Sequence, residues 1–133
     1  MAAARNSRSL SRRHGAVAVE YALVLPALLL FVVGLIDGGR LLWTYTTLYR
    51  AAEAAARCAA VNTTDCVSTA QIQDRAVAEA WGLTVSPGIF TVTTPSCGVQ
   101  VQANYDFTFV IPGLAGVAPL GTITLTATAC YPL

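Results

Sequence analysis

The residues predict an α+β chain with a long apolar N-terminal helix, a short second helix and a three-stranded antiparallel sheet. Apolar residues run unbroken or at three- and four-residue spacing to about residue 61. A capped amphipathic stretch follows, and beyond Pro87-Gly88 the apolar period drops to two. At 133 residues, 55% hydrophobic and 11% charged, with mean hydropathy +0.58, the chain has the length of one small domain. It is too apolar for an intrinsically disordered protein.

Residues 1–15 form a basic leader with Arg5, Arg8, Arg12 and Arg13 and no acid. The remaining residues carry four arginines against seven acids. This mildly acidic body repels phosphates, which argues against nucleic acid as a partner. The first helix is expected over 16–61. Its stretch from Ala16 to Ile36, AVAVEYALVLPALLLFVVGLI, holds a single charge, Glu20, and as a helix spans about 31 Å, the thickness of a bilayer's hydrocarbon. Arginines precede this span and only Arg40 follows it closely, so the positive-inside bias puts the N-terminus in the cytoplasm and the C-terminal part across the membrane. A secretory signal peptide begins in the same way. However, the apolar run is long for one, and helix-forming sequence continues past it without a small-x-small cleavage site. The span is therefore expected to stay with the protein.

Within the span, Pro26 removes a backbone donor and predicts a kink near residues 22–26. Gly34 and Gly38 form a G-x-x-x-G pair whose plainer reading is a loosened helix end. Trp43, Tyr45 and Tyr49 suit either an aromatic belt or the start of a headpiece interface. Over the extension 37–61, Tyr45, Leu48, Ala52, Ala55 and Ala59 make a narrow stripe fit to pack on a sheet, with Glu53 and Arg57 opposite in the favourable i, i+4 order.

The headpiece is expected over 62–133, packed on the helix extension. Ser68 with Gln71 reads as a capping box for the second helix, and Gly82 as its stop. Strands follow around Phe90 and Val92, then Val99 to Phe109, then Thr122 to Ala129, each with apolar and polar residues alternating. The glycine- and proline-rich IPGLAGVAPLG is expected to be the loop between the last two. Cys58, Cys66, Cys97 and Cys130 all fall on the extracytoplasmic side, where disulfides persist. Of the three possible pairings, Cys58–Cys66 and Cys97–Cys130 are favoured: one closes a short loop, the other ties antiparallel neighbours.

Glu20 demands a reason, because a carboxylate inside hydrocarbon costs about 2.5–3.5 kcal/mol. It stands fifth after Gly15 and is followed by Tyr21, directly behind the basic leader. This arrangement resembles a type IV prepilin signal of the Flp, or tight adherence, version. The stretch GAVAVEYALVLPALLLFVVGLIDGGRLLWTYTTLYRAAEAAARCAA is similar to the N-terminal part of the TadE-like family of minor pilins and pseudopilins. The likeness rests on the VEYALVLP core, Asp37, Gly38, Gly39, Arg40 and Leu41, and the alanine run ending at Arg57. Many members have Phe after the Glu, whereas Tyr21 is closer to the major Flp pilin.

The resemblance implies a pilin-type transmembrane helix and cleavage between Gly15 and Ala16 by a membrane prepilin peptidase. It also implies partnership with the major Flp pilin, other minor pilins and an inner-membrane assembly platform driven by an ATPase. Cleavage would expose an ammonium on Ala16, which Glu20 of a neighbouring subunit could neutralise, and this pair would register the subunits. The implied location is the bacterial inner membrane, in contact with lipid, with incorporation into a surface pilus as the further step. The rival reading is an uncleaved single-pass envelope protein with an extracytoplasmic ligand- or partner-binding module.

No catalytic constellation stands out. The only histidine, His14, lies in the leader, the chain has no lysine, and Glu53, Asp65, Asp74, Glu79 and Asp106 form no recognisable pair. No C-x-x-C spacing suggests a metal. The expectation is a protein that is not an enzyme and uses no cofactor or metal. Asn62-Thr63-Thr64 matches a glycosylation acceptor, a pattern too short to carry weight.

Overall fold

A computed structural model describes residues 6–62, 64–110 and 121–133. The side chains of residues 6–14 and of Ala16, the loop expected at 111–120, and Thr63 of the glycosylation triplet lie outside the described residues. The chain divides into two compact units, one ending at Ile36 and one from Asp37 to Leu133.

Helix α1 spans Asn6–Val61 with Pro26 inside it. It already takes in residues 6–15, ahead of the start expected at 16, as a leader without proline permits. In the first unit the helix surface is bare hydrocarbon: Leu23, Val24, Leu25, Leu28, Leu29, Leu30 and Phe31 are all more than half exposed. Leucine, valine and phenylalanine on every side of a helix are stable only in an apolar surrounding.

The second unit is the α+β headpiece. Helix α2 (Thr69–Glu79) starts on the expected capping box: Ser68 accepts from the Gln71 N–H, and the Gln71 side chain accepts from the Ser68 N–H. The box thereby partners the Gln71 donor of the first turn and that of Ser68 itself. After Gly82, which takes φ +75°, a 3₁₀ turn at Pro87–Ile89 leads into strand β1 (Phe90–Thr93). Strands β2 (Val99–Thr108) and β3 (Thr122–Tyr131) complete an antiparallel sheet in the order β1-β2-β3. Phe90 faces Ala103, and Val99 through Thr108 face Tyr131 through Thr122.

The alternation seen in the sequence sorts the two faces. Val99, Val101, Ala103 and Phe107 are buried with Leu125, Ala127 and Ala129, whereas Asn104, Asp106, Thr108, Thr124, Thr126 and Thr128 are exposed. The buried face joins one core with Ile72, Ala76 and Ala80 at and just after α2, and with the stripe Leu48, Ala51, Ala52, Ala55 and Ala56 of α1. All five stripe residues are at most 1% exposed. The stripe is turned relative to the expected one. Tyr45 points outward, and Thr44 and Thr47 take the buried positions above Leu48. The Gln73 side chain donates to the Phe90 carbonyl at 2.7 Å, fixing α2 to the first strand.

Disulfides join Cys58 to Cys66 and Cys97 to Cys130. The second closes a loop of 33 residues against 8 for the first. It constrains the unfolded chain more, by roughly 1 kcal/mol in the loop-entropy account. Glu53 and Arg57 are both exposed, and the ion pairs among the described residues are Asp37–Arg40 and Arg75–Glu79.

The turn between β1 and β2 depends on Gly98. Its φ is +122°, and a Cβ there would run into the backbone of Tyr131 and Pro132. Gly98→Ala is therefore expected to destabilise the headpiece by at least about 1–3 kcal/mol. A thermal melt of the oxidised protein measures this, and an unchanged midpoint would remove glycine's role in the turn.

Candidate functional site

Two groups of residues are candidates for a functional role, one in each unit. In the first unit, Gly15 is exposed within α1, with nothing near the position a Cβ would occupy. Glu20 and Tyr21 follow on the same helix, both exposed, with Tyr21 at 71%. Glu20 has no hydrogen-bond or ion-pair partner among the described residues. It is a lone charge flanked by Val17, Val19, Leu23 and Val24, each at least half exposed. An ionised carboxylate so surrounded is costly in an apolar medium unless it is protonated or meets a compensating group. From Val17 onward α1 is long and apolar enough to cross a membrane.

In the second unit, Asp37 is the site that residue spacing did not reveal. It is 1% exposed, yet it is a carboxylate. The backbone N–H of Val110 donates to both its oxygens, at 3.2 and 3.0 Å, and Arg40 Nη1 donates to Oδ1 at 2.9 Å. The Arg40 guanidinium also lies over the Phe107 ring, 5.2 Å from its centroid, and Phe107 meets Phe109 edge to face. A cation over an aromatic face is attracted by the ring quadrupole. Asp37 thus clamps the end of β2 to α1, and Arg40, one turn on, holds the same strand from below. The sequence placed Asp37 and Arg40 in a family-like block, but their partners are 73 and 67 positions away.

Among the described residues, no group of three or more His, Cys, Asp or Glu side chains is placed to hold a metal ion. A groove of about 590 Å³ runs between Arg40, Trp43 and Thr44 of α1, the Gly82–Thr84 segment, and Tyr105–Thr108 of β2.

Residues 15–57 match the model of the family described as TadE-like protein. The match takes in Gly15, Glu20, Tyr21, the membrane-length run, Asp37 through Arg40 and the alanine stripe as far as Arg57, and ends before α2 and the sheet. No curated protein and no solved structure matches the chain. The chain is TadE-like in this segment, and TadE-like proteins are pilus-associated rather than a family of enzymes.

Asp37→Ala removes the charged acceptor of the Val110 N–H and the partner of Arg40, and is expected to cost about 1.5–3 kcal/mol, the range for hydrogen bonds to a charged group. The contribution of Arg40 is the smaller one, because half of that side chain is in water. Amide exchange at Val110 should accelerate more than at Val101, in the middle of the sheet. Equal acceleration at both would mean that Asp37 acts on general stability and not as a local clamp.

Proposed function

We propose that the protein is a minor pilin or pseudopilin of a Flp/Tad-type pilus, held in the inner membrane by α1 before assembly. The headpiece lies on the extracytoplasmic side. The single observation that carries this reading is the TadE-like match over residues 15–57, because it couples Gly15, Glu20 and the apolar run in one block. Two disulfides in the headpiece agree with an oxidising compartment. The arginine-rich leader agrees with a cytoplasmic N-terminus.

In this reading a prepilin peptidase cuts the bond between Gly15 and Ala16. Gly15 lies in helical sequence, so the peptidase must first unwind it. Glycine costs the helix about 1 kcal/mol relative to alanine and gives the cheapest point of opening. It also puts no side chain in the way of an extended backbone in the cleft. Cleavage leaves a positive ammonium on Ala16 four residues before Glu20. On one helix these two groups stand at i, i+4, and a pair formed there would still face an apolar medium among exposed valines and leucines. Between staggered helices the ammonium of one subunit meets Glu20 of the next, and two costly charges become one buried pair. The pair fixes axial register while the apolar surface of residues 17–36 supplies the bundling contacts. Partners are the major pilin, other minor pilins and the membrane assembly platform.

Mass spectrometry of the protein isolated from its own membrane tests the reading. A new N-terminus at Ala16 is expected, and Gly15→Leu should abolish it. An intact leader in the wild-type protein would replace the pilin with a permanently anchored envelope protein. Glu20→Ala should leave cleavage intact and reduce recovery of the protein with other pilus subunits. Full recovery of the processed variant would remove the registering role of Glu20.

A further inference from the structure

The register of the sheet leaves half of one edge of β2 without a partner. Phe109 N–H donates to the Gly121 carbonyl at 3.0 Å, so the odd-numbered residues of β2 hydrogen-bond to β3 and the even-numbered ones turn their N–H and C=O the other way. Gln100 and Gln102 meet Thr93 and Thr91 of β1. The next position in line with β1, opposite Asn104, belongs to Ile89, where the chain has already curled into the 3₁₀ turn at Pro87–Ile89. Asp106 and Thr108 therefore present two N–H and two C=O groups that no strand pairs among the described residues.

Those unpaired groups do not face an open surface. They open into the groove of about 590 Å³ walled by Arg40 and Trp43 of α1. Trp43 is 61% exposed. Of the five N–H donors on the Arg40 guanidinium, one is bound by Asp37, and the side chain is 49% exposed. The free edge fixes the backbone conformation of an occupant: an extended strand, the geometry of β-strand addition. The arginine fixes its charge. The groove walls flank this edge, whereas the outer edge of β3 is the other unpaired edge of the sheet.

We propose that the groove beside Asp106 and Thr108 receives an extended strand of a partner polypeptide, antiparallel to β2 and in line with β1, with an acidic side chain directed at Arg40. The added strand exchanges hydrogen bonds with Asp106 and Thr108, and an apolar side chain next to the acid lies on Trp43. It depends only on residues from Asp37 onward, so it stands or falls separately from leader processing.

The test uses the isotope-labelled full-length protein in detergent micelles and an end-capped peptide, VTDTV, in which the aspartate takes the helix-facing side. In the free protein, amide exchange should be slow at Phe107 and Phe109 and fast at Asp106 and Thr108. Addition of VTDTV should slow Asp106 and Thr108, and N-methylation of the peptide at its bonded positions should abolish the effect. Arg40→Gln should weaken VTDTV by about threefold, as suits a half-exposed ion pair, and leave the asparagine version VTNTV unchanged. Thr108→Pro removes a donor that β3 does not use, so slow exchange should persist at Phe107 while peptide protection is lost. Prior protection of Asp106 and Thr108 in the free protein would overturn the proposal. So would peptide protection at Thr124 and Thr126 instead, or no protection up to the solubility limit of the peptide.

Discussion

The headpiece depends on how closely a helix can approach the apolar face of a three-stranded sheet. A sheet with one apolar face gains its stability by burying that face against another element. Here the cover is the part of α1 where Ala51, Ala52, Ala55 and Ala56 succeed one another, all essentially without exposure. Methyl groups let the backbones come near, so the larger side chains of the sheet, Phe90, Val101 and Phe107, can fill the space between them. Leu48 closes the cluster toward the residues nearer Asp37, and Ile72 and Ala76 of α2 close another side. Larger residues on this helix face would overfill a core that is already packed.

The same physics separates the two units. Up to Ile36 the surface of α1 is leucine, valine and phenylalanine in the open, and from Asp37 it becomes a narrow alanine stripe with polar residues around it. The first surface suits lipid or other apolar helices, the second a single sheet. Asp37 stands where one pattern gives way to the other. A buried carboxylate is tolerated there because the Val110 amide and Arg40 supply three hydrogen bonds to it. Glu20, by contrast, has no such provision within its own chain. One acid is satisfied by the fold, and the other has no hydrogen-bond or ion-pair partner among the described residues.

Much of this was readable from the residues alone, and the reasons for the exceptions are physical. Period two over 99–109 and 122–129 marks the strands and their buried face, Ser68 with Gln71 marks the start of α2, and the stretch from Gly15 to Ala60 carries the TadE-like resemblance that the family model matches over 15–57. The stripe on α1 was read through Tyr45, since apolar character is the visible signal. Thr44 and Thr47 occupy that face instead, where a small β-branched residue fits and a phenol does not. The role of Asp37 depends on a backbone donor 73 positions later, and no local pattern encodes such a distance. The free edge of β2 is equally hidden. It follows from the hydrogen-bonding phase of the Phe109–Gly121 pair and from β1 being four residues long while β2 is ten.

These features meet on the second half of β2. A strand lacking a neighbour along one edge gains less from its ladder, and its end should fray. Yet Val110 is held by Asp37, Phe107 lies beneath Arg40, and Phe109 packs on Phe107. The helix thus supplies the order that a missing strand would otherwise give. An edge held in extended form before any partner arrives spares that partner the entropy of ordering it. The TadE-like block from Asp37 to Arg40 thus has a structural reason of its own, apart from the apolar run that precedes it. It braces, from the helix side, the half of β2 that no neighbouring strand supports among the described residues.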